Sequence, residues 1–270
     1  MRMDAAIGFV GAGNFTEAMI RGLRSAGVDG ARIFVTTRSR FDRVERLRAA
    51  WAIVPVRDKA ALVASASTLV LAMKPQDLKD AMGELSPLVT DRHLVITPMA
   101  GVSCATVEGY LNKAPVVRVM PNLPMAVNAS ITPMAYGRYA TPEHRSMARA
   151  LFALVGDTVD VSEDLMDATT ALSGSGPAYV YLLMEALVDA ALQVGFSLDT
   201  AKDMAVQTIF GTAKLVKETG ADPADLRRRV TSPGGTTAAA LAVLEERGFR
   251  AAIIDAVLRA TARAKELGSR

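Results

Sequence analysis

Over residues 5–161, short apolar runs alternate with longer stretches in which apolar side chains recur every three or four positions. The runs Ala6–Val10, Arg32–Thr36, Thr68–Ala72, His93–Ile96 and Val116–Val119 are short and nearly continuous in apolar character, as strands covered on both faces are. Between them, Asn14–Ala26, Asp42–Ala50, Lys59–Ser65, Gln76–Ser86 and Ser103–Leu111 carry helical spacing. This alternation predicts βαβ units and therefore an α/β, doubly wound parallel sheet. A β segment at Ile131–Tyr136, a helix at Thr141–Val155 and a strand at Thr158–Val161 are expected to complete the layer.

After Ser162 the β pattern stops. Helical spacing follows at Pro177–Val194, Leu198–Glu218, Pro223–Arg229, Thr236–Glu246 and Phe249–Leu267, which predicts two domains, residues 1–162 and an all-α domain over 163–270. The first of these helices is apolar nearly all round, with Tyr179, Leu182, Leu183, Leu187, Ala191 and Val194 leaving little polar face. Such a helix needs cover on several sides, more than so short a domain supplies, so a second copy of the chain is expected to contribute it. The longest apolar segment, Ala178–Phe196, holds Glu185 and Asp189 in its middle, which a membrane-spanning helix would carry at a cost of several kcal/mol. No membrane partner is expected.

Composition narrows the chemistry. With 270 residues, 50% hydrophobic and 22% charged, disorder and fibrous architectures are excluded. The net charge of +3 is spread along the chain, so no nucleic-acid footprint is expected, and Arg227–Arg229 reads as a solvated helix end. One cysteine, Cys104, rules out an internal disulfide, and His93 and His144 lie far from it and from each other, so no zinc spacing exists and no metal is expected. Cys104 reads as a packed thiol, and Met120, Met125 and Met134 as core filler. The first apolar stretch runs into a glycine turn and not into a small-residue cleavage site, so no secretory signal is read and a cytoplasmic location is expected.

Gly11-Ala12-Gly13-Asn14-Phe15-Thr16 follows the first strand and opens the first helix, the context a dinucleotide fingerprint requires. The first glycine permits the tight turn, the second lets backbone approach a pyrophosphate, and the helix start offers free N–H groups. Thr16, in place of a third small residue, loosens the match; the alternative is a strand-to-helix turn without a ligand. At the end of the second strand stands Thr36-Thr37-Arg38-Ser39-Arg40, with no carboxylate to hold a ribose hydroxyl, which argues for NADP over NAD against the alternative of an ordinary polar turn. Asp42 is assigned to the first turn of the next helix. Lys74 and Pro75 end another strand beside the crevice, with Lys74 open between a ligand contact and a surface lysine.

Two glycine clusters precede helices in the C-terminal half. Ser173-Gly174-Ser175-Gly176-Pro177-Ala178 suits close helix packing, with Pro177 in the first helical turn. Ser232-Pro233-Gly234-Gly235-Thr236-Thr237 offers hydroxyls beside unpaired N–H groups, where a small carboxylate fits; plain helix capping is the alternative.

Together these residues resemble the pyrroline-5-carboxylate reductase family over almost the whole length. The resemblance rests on IGFVGAGN at 7–14, AMKPQ at 72–76, AGVS at 100–103, RVMPNLP at 118–124, MDATTALSGSGPAYV at 166–180, TSPGGTT at 231–237 and GFRAAIIDAV at 248–257. It implies a Rossmann domain followed by an all-α dimerisation domain, a homodimer or higher homo-oligomer, and reduction of a cyclic imino acid, Δ1-pyrroline-5-carboxylate, to L-proline by NADPH, with NADH as the second candidate. By similarity, Gly11, Ala12, Gly13, Asn14, Phe15, Thr37, Arg38, Ser39, Met73, Lys74, Pro75, Pro98, Met99 and Ala100 contact the coenzyme. Ser232, Gly235, Thr236 and Thr237 hold substrate, and Thr237 hydrogen-bonds the ring nitrogen as the catalytic residue. The site is expected at the crevice between domains, where orientation dominates because an imine accepts hydride readily.

Four positions depart from the family pattern: Leu123 for threonine, Thr97-Pro98-Met99 for small residues, Lys59 for asparagine near the adenosine side, and Asn128-Ala129-Ser130 without a usual glycine. Leu123 and Met99 bear on substrate scope. Lys59 is open between adding charge near a 2′-phosphate and facing solvent. Three rival readings stand beside the reductase. A hydroxyacid dehydrogenase is disfavoured because Val206, Glu218 and Ala221 stand four residues after Lys202, Lys214 and Lys217 where an asparagine is required. A reductase of another cyclic imine and a non-catalytic dinucleotide-binding protein remain as alternatives.

Overall fold

The computed structural model describes residues 5–268, so the outermost residues of the two expected domains, 1–4 and 269–270, lie outside it. Its strands are β1 (Ile7–Val10), β2 (Ile33–Thr36), β3 (Val54–Pro55), β4 (Thr68–Leu71), β5 (Leu94–Thr97), β6 (Val116–Val119), β7 (Ser130–Tyr136) and β8 (Gly156–Asp160). They form one sheet in the order β3-β2-β1-β4-β5-β6-β7-β8, the doubly wound Rossmann layer. One pairing departs from the expected parallel sheet: β6 and β7 run antiparallel, Val119 opposite Met134. Their connection carries only a 3₁₀ turn at Leu123–Val127, too short for the crossover that a parallel pair needs. β3 escaped the pattern because it contributes two residues, one of them Pro55, which only a sheet edge accepts.

β1, β4, β5 and β6 are buried along their whole length, which is why they read as continuous apolar runs. Alternate residues serve opposite faces: Phe9, Val70, Ile96 and Val119 enter one core with Met19, Ile20, Leu23 and Phe152, while Leu69, Leu71, Val95 and Val116 enter the other with Leu62, Met82, Leu85 and Val107. Each of these fully buried aliphatic or aromatic side chains stabilises the fold by about 1.5–3 kcal/mol. The helices between strands are α1 (Asn14–Ser25), α2 (Phe41–Trp51), α3 (Lys59–Ser65), α4 (Leu78–Leu85), α5 (Cys104–Glu108) and α6 (Pro142–Ala153). α4 starts later than expected because Pro75–Asp77 forms a 3₁₀ turn, and α5 is short, capped by Ser103 Oγ accepting from Thr106 N at 3.0 Å. Met120, Met125 and Met134 are buried core residues, and the buried Cys104 thiol donates to Ala135 O at 3.8 Å.

Packing divides the chain into two units: residues up to Ser175 together with those from Arg259, and Gly176–Leu258. The β pattern ends near Ser162, but the packing boundary falls later because Arg118 holds the following segment to the sheet. Arg118, in β6 and only 4% exposed, pairs with Glu163 at 2.8 Å and Asp167 at 3.1 Å. Next to them α7 (Met166–Thr169) buries Met166 against Met120 and Ala135, and a π-helical turn follows at Thr170–Gly174.

The second unit holds α8 (Gly176–Gln193), α9 (Leu198–Thr219), α10 (Pro223–Arg229), α11 (Thr236–Glu246) and the first half of α12 (Phe249–Gly268). No residue of α8 is buried, and only Ala201 and Ala205 are buried in α9. Tyr181, Leu182, Leu187, Met204 and Phe210 are exposed, an apolar surface of the kind that marks an interface. Arg227–Arg229 are exposed at the end of α10. Among the described residues no helix is long and apolar enough to cross a membrane.

Candidate functional site

The chain turns sharply between β1 and α1. Gly11 sits at φ +117° with its N–H donating to Thr36 O at 2.8 Å, and a Cβ there would lie 2.5 Å from Ala72 O. Only glycine fits. A Cβ on Gly13 would meet nothing within 4 Å, and this residue caps α1 without a side-chain bond, so the first N–H groups of α1 have neither an intrahelical nor a capping partner. Thr16 does more than loosen the glycine pattern: it is fully buried and its Oγ1 donates to Gly11 O at 2.8 Å, bracing the turn.

This turn forms the floor of a crevice of about 980 Å³. Of the expected coenzyme residues, Gly11, Ala12, Gly13, Thr37, Arg38, Ser39, Met73 and Lys74 line it. The others lie outside that lining. Asn14 Oδ1 instead accepts from Arg43 Nη2 at 2.6 Å, Phe15 packs against the core, and Pro75 is exposed at the start of the 3₁₀ turn. Pro98 and Ala100 are half-buried, and Met99 is buried in the same core cluster as Leu69, Leu71 and Val95. Leu123, by contrast, is 57% exposed.

Arg43, Asp80 and Glu84 also line the crevice, although no local motif in the sequence marks them for it. Lys59 lines the crevice with its side chain only 15% exposed, and Nζ lies 2.6 Å from Glu84 Oε1. Arg38 Nη1 donates to Asp80 Oδ2 at 2.9 Å, and Arg43 pairs with Glu17 at 2.9 Å. Asp42 takes its expected place in the first turn of α2, paired with Arg46 at 3.1 Å. A glycine cradle that a Cβ would fill, free helix N–H groups, Arg38 and Arg40 just past the end of β2, and Lys59 at the start of α3 fit a dinucleotide bearing an extra phosphate.

The second glycine turn belongs to the helical unit. Gly234 has φ +70°, Gly235 N donates to Ser232 O at 3.1 Å, and a Cβ on Gly235 would strike Ser232 Oγ. Gly235 caps α11 with no side-chain bond, which leaves the N–H groups of Thr236 and Thr237 without intrahelical partners. Ser232 and Thr236 are exposed and Thr237 half-buried, so the segment brings three hydroxyl residues to a helix start with unpaired donors, a combination suited to a small carboxylate. In the other cluster Ser173 is tied to its neighbours: Ser173 Oγ donates to Thr169 O at 3.0 Å, and Ser173 O accepts from Asn122 Nδ2 at 3.1 Å.

Burial pushes the Cys104 thiol up, helped by the Glu163 carboxylate, so it stays protonated and inert. Among the described residues no three His, Cys, Asp or Glu side chains gather as a metal site.

Residues 163–267 match the family model described as pyrroline-5-carboxylate reductase dimerisation, and residues 6–101 one described as NADP oxidoreductase coenzyme F420-dependent. A pyrroline-5-carboxylate reductase of Methanosarcina acetivorans is 40% identical over 265 residues, 98% of each chain. Among solved structures, a pyrroline-5-carboxylate reductase of Coxiella burnetii superposes with a TM-score of 0.90 at 37% identity, covering 98% of this chain and 99% of that one. A pyrroline carboxylate reductase of Plasmodium falciparum with NADP bound gives 0.89 at 26% identity, covering 99% and 100%.

Proposed function

The chain belongs to the pyrroline-5-carboxylate reductase family, and from that premise we propose that it reduces the C=N bond of Δ1-pyrroline-5-carboxylate to give L-proline, using NADPH, as a homodimer in the cytoplasm. Residues 1–162 are assigned to the coenzyme and 163–270 to dimerisation and substrate.

NADPH, when bound, supplies the hydride that the imine carbon accepts. The turn at Gly11, Ala12 and Gly13, with the backbone of Asn14 and Phe15, would hold its pyrophosphate, and Thr37, Arg38 and Ser39 its 2′-phosphate. Met73, Lys74 and Pro75, with the backbone of Pro98, Met99 and Ala100, would border the nicotinamide side. Ser232 and the N–H groups of Gly235, Thr236 and Thr237 grip the substrate carboxylate and so aim the ring. Thr237 Oγ1 hydrogen-bonds the ring nitrogen, the atom that gains the proton as carbon gains hydride.

One observation carries this reading: the start of α11, free of any side-chain cap and flanked in the chain by Ser232 and Thr237, in a chain whose other glycine turn has the features of a dinucleotide cradle. Steady-state assays with five- and six-membered cyclic imino acids, each with NADPH and NADH, test it. Pyrroline-5-carboxylate with NADPH should give the highest kcat/KM. Coenzyme binding without turnover of any imine, or preference for a six-membered ring, would overturn it.

A further inference from the structure

The cations at the phosphate end of the crevice already have carboxylate partners. From this we propose that Asp80 and Glu84 are specificity-determining residues that weaken the chain's preference for a 2′-phosphorylated coenzyme. The inference rests on the placement of the 2′-phosphate at Arg38 given above.

Asp80 and Glu84 stand one turn apart on the same face of α4, and both line the crevice. Each engages one cation brought in from elsewhere: Asp80 takes Arg38 from the end of β2 at 2.9 Å, and Glu84 takes Lys59 from the start of α3 at 2.6 Å. A phosphate arriving at Arg38 must share or displace Asp80. That exchange is easy, because Arg38 and Asp80 are both about 70% exposed and such pairs hold weakly. Lys59 is different. Its side chain is largely withdrawn from water and in short contact with Glu84, so it is the cation least free to turn toward a phosphate.

Displacement does not remove the carboxylates. They stay on α4, in the wall of the same crevice as Arg38, and repel a phosphate bound there over the screening length of about 8–10 Å. A coenzyme lacking the 2′-phosphate presents no charge at Arg38 and loses less to them. The other two pairs in this region lie apart from α4, Arg40 with Asp42 at 3.6 Å and Arg43 with Glu17 at 2.9 Å.

The test is direct binding, by calorimetry, of NADPH and NADH to the full-length protein and to Asp80→Asn, Glu84→Gln and the double variant, all near-isosteric changes whose folding is checked by thermal melting. Each single variant should tighten NADPH about threefold and the double about tenfold, with NADH held within about twofold and most of the gain erased in high salt. An unchanged or reduced NADPH-to-NADH preference in the double variant would overturn the proposal, because the carboxylates would then only be holding the cations in place. Arg38→Ala separates the two possible failures. If it weakens NADPH selectively while the double variant stays neutral, only the role of Asp80 and Glu84 falls. If it weakens both coenzymes equally, the placement of the 2′-phosphate falls and the proposal with it.

Discussion

Replacing Gly11 by alanine separates two jobs that the first glycine turn performs. The new methyl would lie 2.5 Å from Ala72 O, 2.7 Å from Ala72 C and 3.0 Å from Met73 N, all backbone atoms at the end of a central strand. That backbone cannot easily retreat, since Ala72 N is bonded to Val10 O at 2.9 Å. Holding a non-glycine residue at positive φ costs about 1–2 kcal/mol and forcing the contact about 1–3 more, so a loss of about 2–5 kcal/mol is expected. In a protein of this size that lowers the melting temperature by roughly 5–15 °C. The strain is relieved by pushing the turn outward, which takes the N–H groups off their line and should raise the NADPH Kd at least about tenfold, or ~1.4 kcal/mol. Gly13→Ala is the control. Its methyl meets nothing within 4 Å and its φ is −80°, so stability should fall by no more than about 1 kcal/mol while coenzyme binding is still impaired. Thermal melting and calorimetric titration of both variants decide the matter. A Gly11→Ala protein with wild-type melting, or a Gly13→Ala protein with wild-type NADPH affinity, would refute the reasoning.

Thr237→Ala should lower kcat at least about tenfold and leave the NADPH Kd unchanged, as judged by steady-state kinetics beside coenzyme titration, because Thr237 is assigned to substrate and not to coenzyme. Arg118→Met strands Glu163 and Asp167 and should cost about 3 kcal/mol in chemical denaturation, the low end for breaking a buried pair because both carboxylates keep some water; adding Glu163→Gln should recover part of it. Burial, then the hydrogen bond and charge of Asp160, push the Tyr136 phenol up to about 12. The fold thus favours its neutral form, a contribution complete below the unfolded value of about 10 and lost as pH rises through 12. Tyrosinate absorbance should show a late-titrating phenol that vanishes in Tyr136→Phe and shifts only part of the way back in Asp160→Asn. Cys104 should resist thiol reagents in the native protein and react only on unfolding; rapid native labelling would contradict its burial.

Much of the nucleotide-binding layer was legible because its central strands are buried on both faces and so leave unbroken apolar runs. The first glycine turn was legible because strand, turn and helix are contiguous in sequence. The antiparallel β7 was not, since alternation of apolar residues encodes which side chains are buried and not which way a strand runs. The role of Thr16 depends on a hydroxyl reaching back five residues to Gly11 O, a bond that residue type alone does not disclose. Asp80 lies 42 residues from Arg38, and neither it nor Glu84 carries a local signal for facing the crevice. Asn14, Phe15 and Pro75 were assigned by position in a motif, and their side chains turn to Arg43, to the core and to solvent. For the turn at 232–237 the glycines and the following helix were readable; that α11 would have no side-chain cap was not.

The central claim, that the uncapped start of α11 receives the ring acid and the first glycine turn receives the coenzyme, is tested most directly by a crystal structure of the full chain with NADP⁺ and L-proline. The account predicts the proline carboxylate on the N–H groups of Gly235, Thr236 and Thr237, the Thr237 hydroxyl facing the ring nitrogen, and the 2′-phosphate beside Arg38. Proline bound elsewhere with residues 232–237 bare, or the pyrophosphate away from Gly11–Gly13, would contradict it.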